Sequence, residues 1–386
     1  MHCNMSDFGK KKVLIVAGEA SGDLHGANLV RAMLAIDPHL SFYGVGGPKM
    51  REEGVRCLAD AAEMAVVGLT EVFSRLGTIL GTMRRLKRSL TEEAPALAIL
   101  IDYPDFNMPL AKAAKRKGVR VFYYISPQVW AWRRGRIAQL RERVERIAVI
   151  LPFEAEMYRR EGVEAVFVGH PLLDVVKTKY QRPEALRRFD LREGKTIVGI
   201  LPGSRPSEVV KLLKEMLDAA VLVKRQLPSA QFVLPLADTL NRDWVRRIVR
   251  PYEQELNVRI VRNEIYDVLA VCDAALVASG TATLEAALIG VPMIIVYKIS
   301  LLTYLAGRIF VKVSHIGLAN IIAGKTVVPE LIQQDVNPER LATELLAIIS
   351  DEERKKLMKE ELAGIREKLG APGASLRAAR LALEML

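Results

Sequence analysis

The stretch IDYPDFN (101–107) carries two carboxylates, Asp102 and Asp105, directly behind the apolar run ALAILI. A carboxylate held in such a place can take a proton from an attacking hydroxyl. Asp102 ends the run, so its side chain is expected to emerge at the carboxyl end of a strand. Asp105 follows Pro104 and can instead cap a helix beginning near Phe106. A third carboxylate, Glu19, lies in AGEASGD (17–23), behind another apolar run. Asp102 is the expected base, with Asp105 and Glu19 as alternatives. Glu19 and Asp23 would repel a bound pyrophosphate, so AGEASGD is no dinucleotide fingerprint. Carboxylates suit sugar hydroxyls better. Ser21 and Asp23 are candidates both for that role and for capping the next helix.

The second half of the chain offers positive potential in place of carboxylates. LPGSRPSEV (201–209) puts the backbone of Gly203, Ser204 and Arg205, plus a guanidinium, at a helix start. ASGTATLEAALIGVP (278–292) does the same with Ser279, Gly280 and Thr281, and Glu285 follows one turn in. N–H groups at a helix start attract phosphate, and a carboxylate beside them can accept from a ribose hydroxyl. Either turn alone could be plain capping. Two in one half of the chain, each behind a strand, point to a nucleotide diphosphate.

These clusters need elements to hold them. KKVLIVAG (11–18) is a continuous apolar run, the pattern of a strand buried on both faces of a parallel sheet. A helical segment follows it, and strand-like and helix-like segments then alternate to about residue 169. Residues 178–195 are charged and linker-like. The alternation restarts at TIVGILPG, and the tail from about 338 reads as helical. Alternating β and α predicts parallel sheets covered by helices. Two doubly wound, Rossmann-like α/β domains facing a cleft are expected, at 1–175 and 176–386. Ligands of such sheets bind at the carboxyl ends of the strands, where the polar clusters fall.

Composition narrows the function. The 386 residues carry a net charge of +11, which suits nucleic acid, anionic lipid or phosphorylated substrates. Aromatic residues make up 6%, too few for a stacking platform along a basic groove, so nucleic acid is not an expected partner. Three scattered cysteines, Cys3, Cys57 and Cys272, argue for a reducing compartment. The five histidines are widely separated and no Asp-x-Asp motif occurs, so neither metal nor cofactor is expected. No signal peptide and no charge-free apolar run of spanning length is visible, so a cytosolic location is expected.

Eight stretches, in order, resemble the bacterial lipid-A-disaccharide synthase family: AGEASGDLHG, GVGGPKM, IDYPDFN, YYISPQVWAWRRGR, LPFE, VGHPLLD, LPGSRPSEV and ASGTATLEAAL. The similarity runs from about residue 13 to 325. It implies an inverting, metal-independent glycosyltransferase of GT-B architecture from a Gram-negative bacterium. Such an enzyme transfers diacylglucosamine from its UDP derivative to diacylglucosamine 1-phosphate in a β(1→6) link and releases UDP. By resemblance the second domain holds UDP and the first much of the acceptor. Asn320 matches a family asparagine on the donor side, and Glu19 falls near the reaction cleft.

Acyl chains give meaning to LTEVFSRLGTILGTMRRLKR (69–88). Leu69, Val72, Phe73, Leu76 and Leu80 recur at helical spacing, and Arg84, Arg85, Lys87 and Arg88 follow. The alternatives are a core-packing helix and an interfacial helix on anionic headgroups at the inner face of the bacterial inner membrane. Trp130 and Trp132 follow the apolar run VFYYI and are expected in the acceptor wall, with Arg133, Arg134 or Arg136 available to a phosphate. Homo-oligomer formation is left open. The rival readings are another UDP-sugar enzyme, such as a UDP-N-acetylglucosamine 2-epimerase, and a lipid-binding protein without catalysis.

Overall fold

The computed structural model describes residues 11–64, 69–127, 135–299 and 315–386. Two compact units divide it: residues 1–173 with 369–386, and residues 174–368.

The first unit is built on seven parallel strands: β1 (Lys11–Ala17), β2 (Leu40–Gly46), β3 (Arg56–Asp60), β4 (Leu97–Ile101), β5 (Arg120–Tyr124), β6 (Arg146–Val149) and β7 (Ala165–Phe167). Their order is β3-β2-β1-β4-β5-β6-β7. Val13 pairs with Leu97 and Ala17 with Ile101, so β1 and β4 end side by side. β4 is buried from end to end and β1 from Val13 onward, which explains their apolar sequences. Alternate residues feed opposite faces. Leu14, Val16, Ala98 and Leu100 enter one core, while Val13, Ile15, Leu97 and Ile99 enter the other.

The second unit repeats the plan with six parallel strands: β8 (Ile197–Leu201), β9 (Gln231–Leu236), β10 (Arg259–Arg262), β11 (Ala274–Ala278), β12 (Met293–Tyr297) and β13 (Glu330–Ile332). The order β10-β9-β8-β11-β12-β13 matches the first six strands of the other sheet. The charged segment before it is pinned by buried Asp267, whose Oδ1 accepts from the N–H groups of Lys179 and Tyr180 at 2.7 and 3.0 Å.

Two features differ from the sequence reading. Residues 40–60 form β2 and β3, which the glycines of GVGG hide by breaking the apolar run. The end of the helical tail also leaves the second unit. The helix Ala374–Leu383 belongs to the first unit, and Ala378, Ala379 and Ala382 are buried in the same core as Leu29, Val30 and Met33 of the helix Ala20–Ile36. Small side chains on that face let two helices approach closely, a cue that helical periodicity alone does not give.

The helix Leu69–Glu92 spans the expected interfacial stretch. The side chains of Leu69, Val72 and Phe73 lie outside the described residues. Further along, one face packs inward through Leu86, Leu90, Ile79 and Met83. Met83, which continues the same helical spacing, therefore packs against the core. Leu76 and Leu80 are 42% and 46% exposed.

Candidate active site

The order of a doubly wound sheet reverses between its first and fourth strands, and ligands bind at the carboxyl ends there. In the first unit that place lies between β1 and β4. Glu19 follows β1 and Asp102 follows β4.

Asp102 is held in an unusual shape. Its φ is 44° and that of Tyr103 is 48°, two consecutive left-handed residues without glycine. Such backbone costs about 1–3 kcal/mol per residue and survives only where its surroundings enforce it. Here they do. The Asp102 N–H donates to the carbonyls of Tyr124 and Ile125, both at 3.2 Å. Its own carbonyl accepts from Asn107 Nδ2 at 2.7 Å and from the Tyr123 hydroxyl at 2.5 Å. The Tyr103 hydroxyl donates to the Met64 carbonyl at 2.8 Å, and its ring lies over Gly18, where any Cβ would come within 2.3 Å of it. Only glycine lets the two strand ends close in this way.

This setting changes the acidity of Asp102. Burial pushes its carboxyl up, the charge of Glu19 adds to that, and a hydrogen bond from the Tyr103 backbone opposes both; the result is about 6. A carboxylate with that value can accept a proton near neutral pH. Glu19 precedes the helix Ala20–Ile36 but gives it no side-chain cap.

Other candidates have different duties. Asp23 is buried, and its carboxylate accepts from the N–H groups of Gly47, Lys49 and Met50 at 2.6, 3.1 and 3.1 Å. It caps the short helix Pro48–Glu52, so its carboxylate is mostly spent on backbone N–H groups. Ser21 is exposed in the first turn of the helix Ala20–Ile36 and caps nothing there. The helix after β4 begins at Pro104 with Tyr103 at its cap, so Asp105 lies inside the first turn and is not the cap. Asp105 is ion-paired with Arg136, which takes that arginine from the phosphate role considered for it. Trp130, Trp132, Arg133 and Arg134 lie outside the described residues.

The matching place in the second unit lies between β8 and β11. Gly203, Ser204 and Arg205 follow β8, and Ser279, Gly280 and Thr281 follow β11. The helix Thr281–Ile289 has no side-chain cap because Gly280 has none to offer, so its first N–H groups are suited to an anion. Glu285 is one turn in. Its Oε1 accepts from the Tyr266 hydroxyl at 3.0 Å, and burial raises its pKa while that hydrogen bond opposes the rise.

The turn after β8 is less open than expected. Glu208 Oε2 accepts from the N–H groups of Ser204 and Arg205 at 3.1 and 3.3 Å. Its Oε1 lies 3.6 Å from the Arg205 guanidinium, which is 49% exposed. Sequence reasoning passed over Glu208, although a glutamate three residues past a helix cap is a known capping signal. Asn320 departs further from expectation. Its Oδ1 accepts from Val327 and Val328 N–H at 2.8 and 3.0 Å, and its Nδ2 donates to the Val328 carbonyl and Glu330 Oε1, both at 2.8 Å. All four amide bonds are spent inside the protein, so Asn320 shapes the loop beside the second switch point. Tyr266 and Glu330 were likewise missed, because lone polar residues far away in sequence carry no motif.

Among the described residues no group of three His, Cys, Asp or Glu side chains could hold a metal ion. The model of the lipid-A-disaccharide synthetase family matches residues 13–384. The chain belongs to that family. The lipid-A-disaccharide synthase of Syntrophus aciditrophicus is 56% identical over 379 residues, covering 98% of this chain and 99% of the relative. The family is one of glycosyltransferases. Among solved structures, the kitacinnamycin glycotransferase is similar with a TM-score of 0.66 at 17% identity, covering 98% of this chain and all of the other. The UDP-N-acetylglucosamine 2-epimerase of Neisseria meningitidis, bound to UDP-N-acetylglucosamine, reaches 0.63 at 14%, covering 97% and 98%. Those two likenesses establish the GT-B type of fold, which hosts both chemistries and decides neither.

Proposed function

We propose that the chain condenses UDP-2,3-diacylglucosamine with 2,3-diacylglucosamine 1-phosphate into the β(1→6) disaccharide 1-phosphate and UDP. The observation that carries this reading is the pair of switch points: one bears a carboxylate tuned to about 6, the other bears two helix starts suited to a diphosphate. An epimerase needs no base for a second sugar's hydroxyl, and the near-full-length relatives carry the synthase name.

In this reading the acceptor hydroxyl attacks the anomeric carbon of the donor as its proton passes to Asp102. UDP leaves from the opposite face, which inverts that carbon. Glu19 keeps Asp102 basic enough to take the proton. Negative charge that develops on the leaving diphosphate is met by the Arg205 guanidinium and the N–H groups at Thr281. Glu285 Oε2 accepts from the ribose. Ser21 and the segment with Trp130, Trp132 and Arg133 are assigned to the acceptor side. The donor side belongs to the second unit and the acceptor side to the first.

We infer further that the helix Leu69–Glu92 rests on an anionic membrane surface. No described helix is long and apolar enough to cross a membrane. Leu76 and Leu80 are exposed on one stripe, and Arg84, Arg85, Lys87 and Arg88 are exposed just beyond them. That combination suits apolar burial beside lipid phosphates, at the inner face of the inner membrane where such substrates reside.

Purified protein mixed with both lipids tests the reaction, with products read by mass spectrometry. Disaccharide 1-phosphate and UDP in equal amounts are expected. Turnover of the sugar nucleotide without the acceptor would favour the epimerase.

A further inference from the structure

The turn after β8 already contains an anion. Glu208 Oε2 lies against the N–H groups of Ser204 and Arg205, where a phosphate oxygen would sit, and Oε1 faces the Arg205 guanidinium at 3.6 Å. The fit is close. Gly203 has a φ of 107°, and a Cβ there would come within 2.2 Å of Glu208 Oε2. The backbone is bare at the spot where the carboxylate rests. Thr239 Oγ1 donates to the Ser204 carbonyl at 2.5 Å and holds the turn from its other side. The turn is therefore shaped around a negative group.

We propose that Glu208 is an internal counter-anion of the donor site, competing with the nucleotide diphosphate for Arg205 and the two N–H groups. This rests on the donor reading given above. Arg205 is half exposed and its contact with Glu208 is longer than a hydrogen bond, so an incoming phosphate can reach the guanidinium from solvent. The N–H groups stay paired until a stronger anion arrives, which avoids unsatisfied donors. Glu208 retakes them as UDP departs. Its charge therefore weakens the hold on donor and product alike and favours release of UDP. A purely structural cap would act in the opposite sense, since loosening the turn would weaken UDP binding.

The sign of one change separates these roles. Glu208→Gln keeps the length and an acceptor oxygen for the cap but removes the charge. Calorimetry at low salt should show UDP bound about two- to fivefold tighter, the range set by a solvent-exposed ion pair. The gain should shrink at high salt. It should also shrink when Arg205→Ala is combined with Glu208→Gln, because one of the groups in competition is then gone. Glu208→Ala should shift affinity in the same direction and lower the melting temperature through loss of the cap. Unchanged or weaker UDP binding in folded Glu208→Gln overturns the proposal. Unchanged binding in Arg205→Ala alone would instead overturn the donor reading, so the two failures are distinguishable.

Discussion

At the scale of single residues, Asp102 concentrates the chemistry. Its strained backbone is gripped by Asn107, Tyr123 and the end of β5, while its carboxyl is desolvated beside Glu19. Asp102→Asn should lower kcat/KM by about 10²–10⁴-fold, the contribution of a positioned base. In the wild type, activity should rise with pH through about 6 as the carboxyl ionises, and that limb should be lost in the variant. Stability should move the other way. The folded carboxyl binds its proton more tightly than the unfolded one, so this group destabilises the fold progressively as pH rises from about 4 to 6. Asp102→Asn should therefore melt at the same temperature as the wild type at pH 7, or higher. A variant with near wild-type turnover, assayed beside Asp105→Asn and Glu19→Gln, would move the base elsewhere. Much of this was legible beforehand: an acidic residue closing an apolar run announces itself. The left-handed backbone did not, because the residues enforcing it lie on other segments. Asp23 and Asn320 show the converse limit. Their types fit a ligand, yet their hydrogen bonds are consumed by backbone groups that no motif reveals.

At the scale of elements, the helix Leu69–Glu92 is two-faced. Leu86 and Leu90 are buried against the first sheet, and Leu76 and Leu80 are open. Changing both Leu76 and Leu80 to Ser should reduce co-sedimentation with anionic vesicles and leave the melting temperature nearly unchanged. Leu86→Ala should instead cost about 2–4 kcal/mol of stability, as a cavity in a packed core does. Equal sedimentation of the folded double variant and the wild type would remove this helix from the membrane. Sequence periodicity located the helix well but could not sort its faces, because core and lipid ask for the same residue types. The sheets were easier to read. β4, β8 and β11 are apolar throughout, and β1 from Val13 onward, because each is central and covered on both sides. The short edge strands β3 and β13 face fewer partners and left no comparable trace.

At the scale of the whole molecule, the first unit should be the acid-sensitive one. His25 and His170 are buried in it, and burial pulls them down to about 4 and about 3. Unfolded, each would take up a proton near its ordinary value of 6.5. Their contribution to stability is thus complete above about 6.5 and declines as pH falls toward 4 and 3. His25→Leu, which also removes a buried Nδ1 without a partner, should flatten the fall in melting temperature between pH 7 and pH 5. A slope equal to that of the wild type would assign the acid response to other groups. The same unit depends on residues 369–386, since the helix Ala374–Leu383 completes its core. Removing them should expose the first unit to protease while the continuous segment 174–368 stays resistant.

That returning helix also sets a timetable. A ribosome delivers residues in order, and domains are generally able to fold as they emerge, the earliest first. Here the earliest cannot finish. Residues 1–173 must wait, with the surface meant for Ala378, Ala379 and Ala382 still uncovered, until all of 174–368 has been made. The second unit needs nothing from outside its own continuous stretch and can close before the first is complete. Chains truncated near residue 368 should thus hold a mature second unit and an immature first one. At that stage they would be most in need of a chaperone.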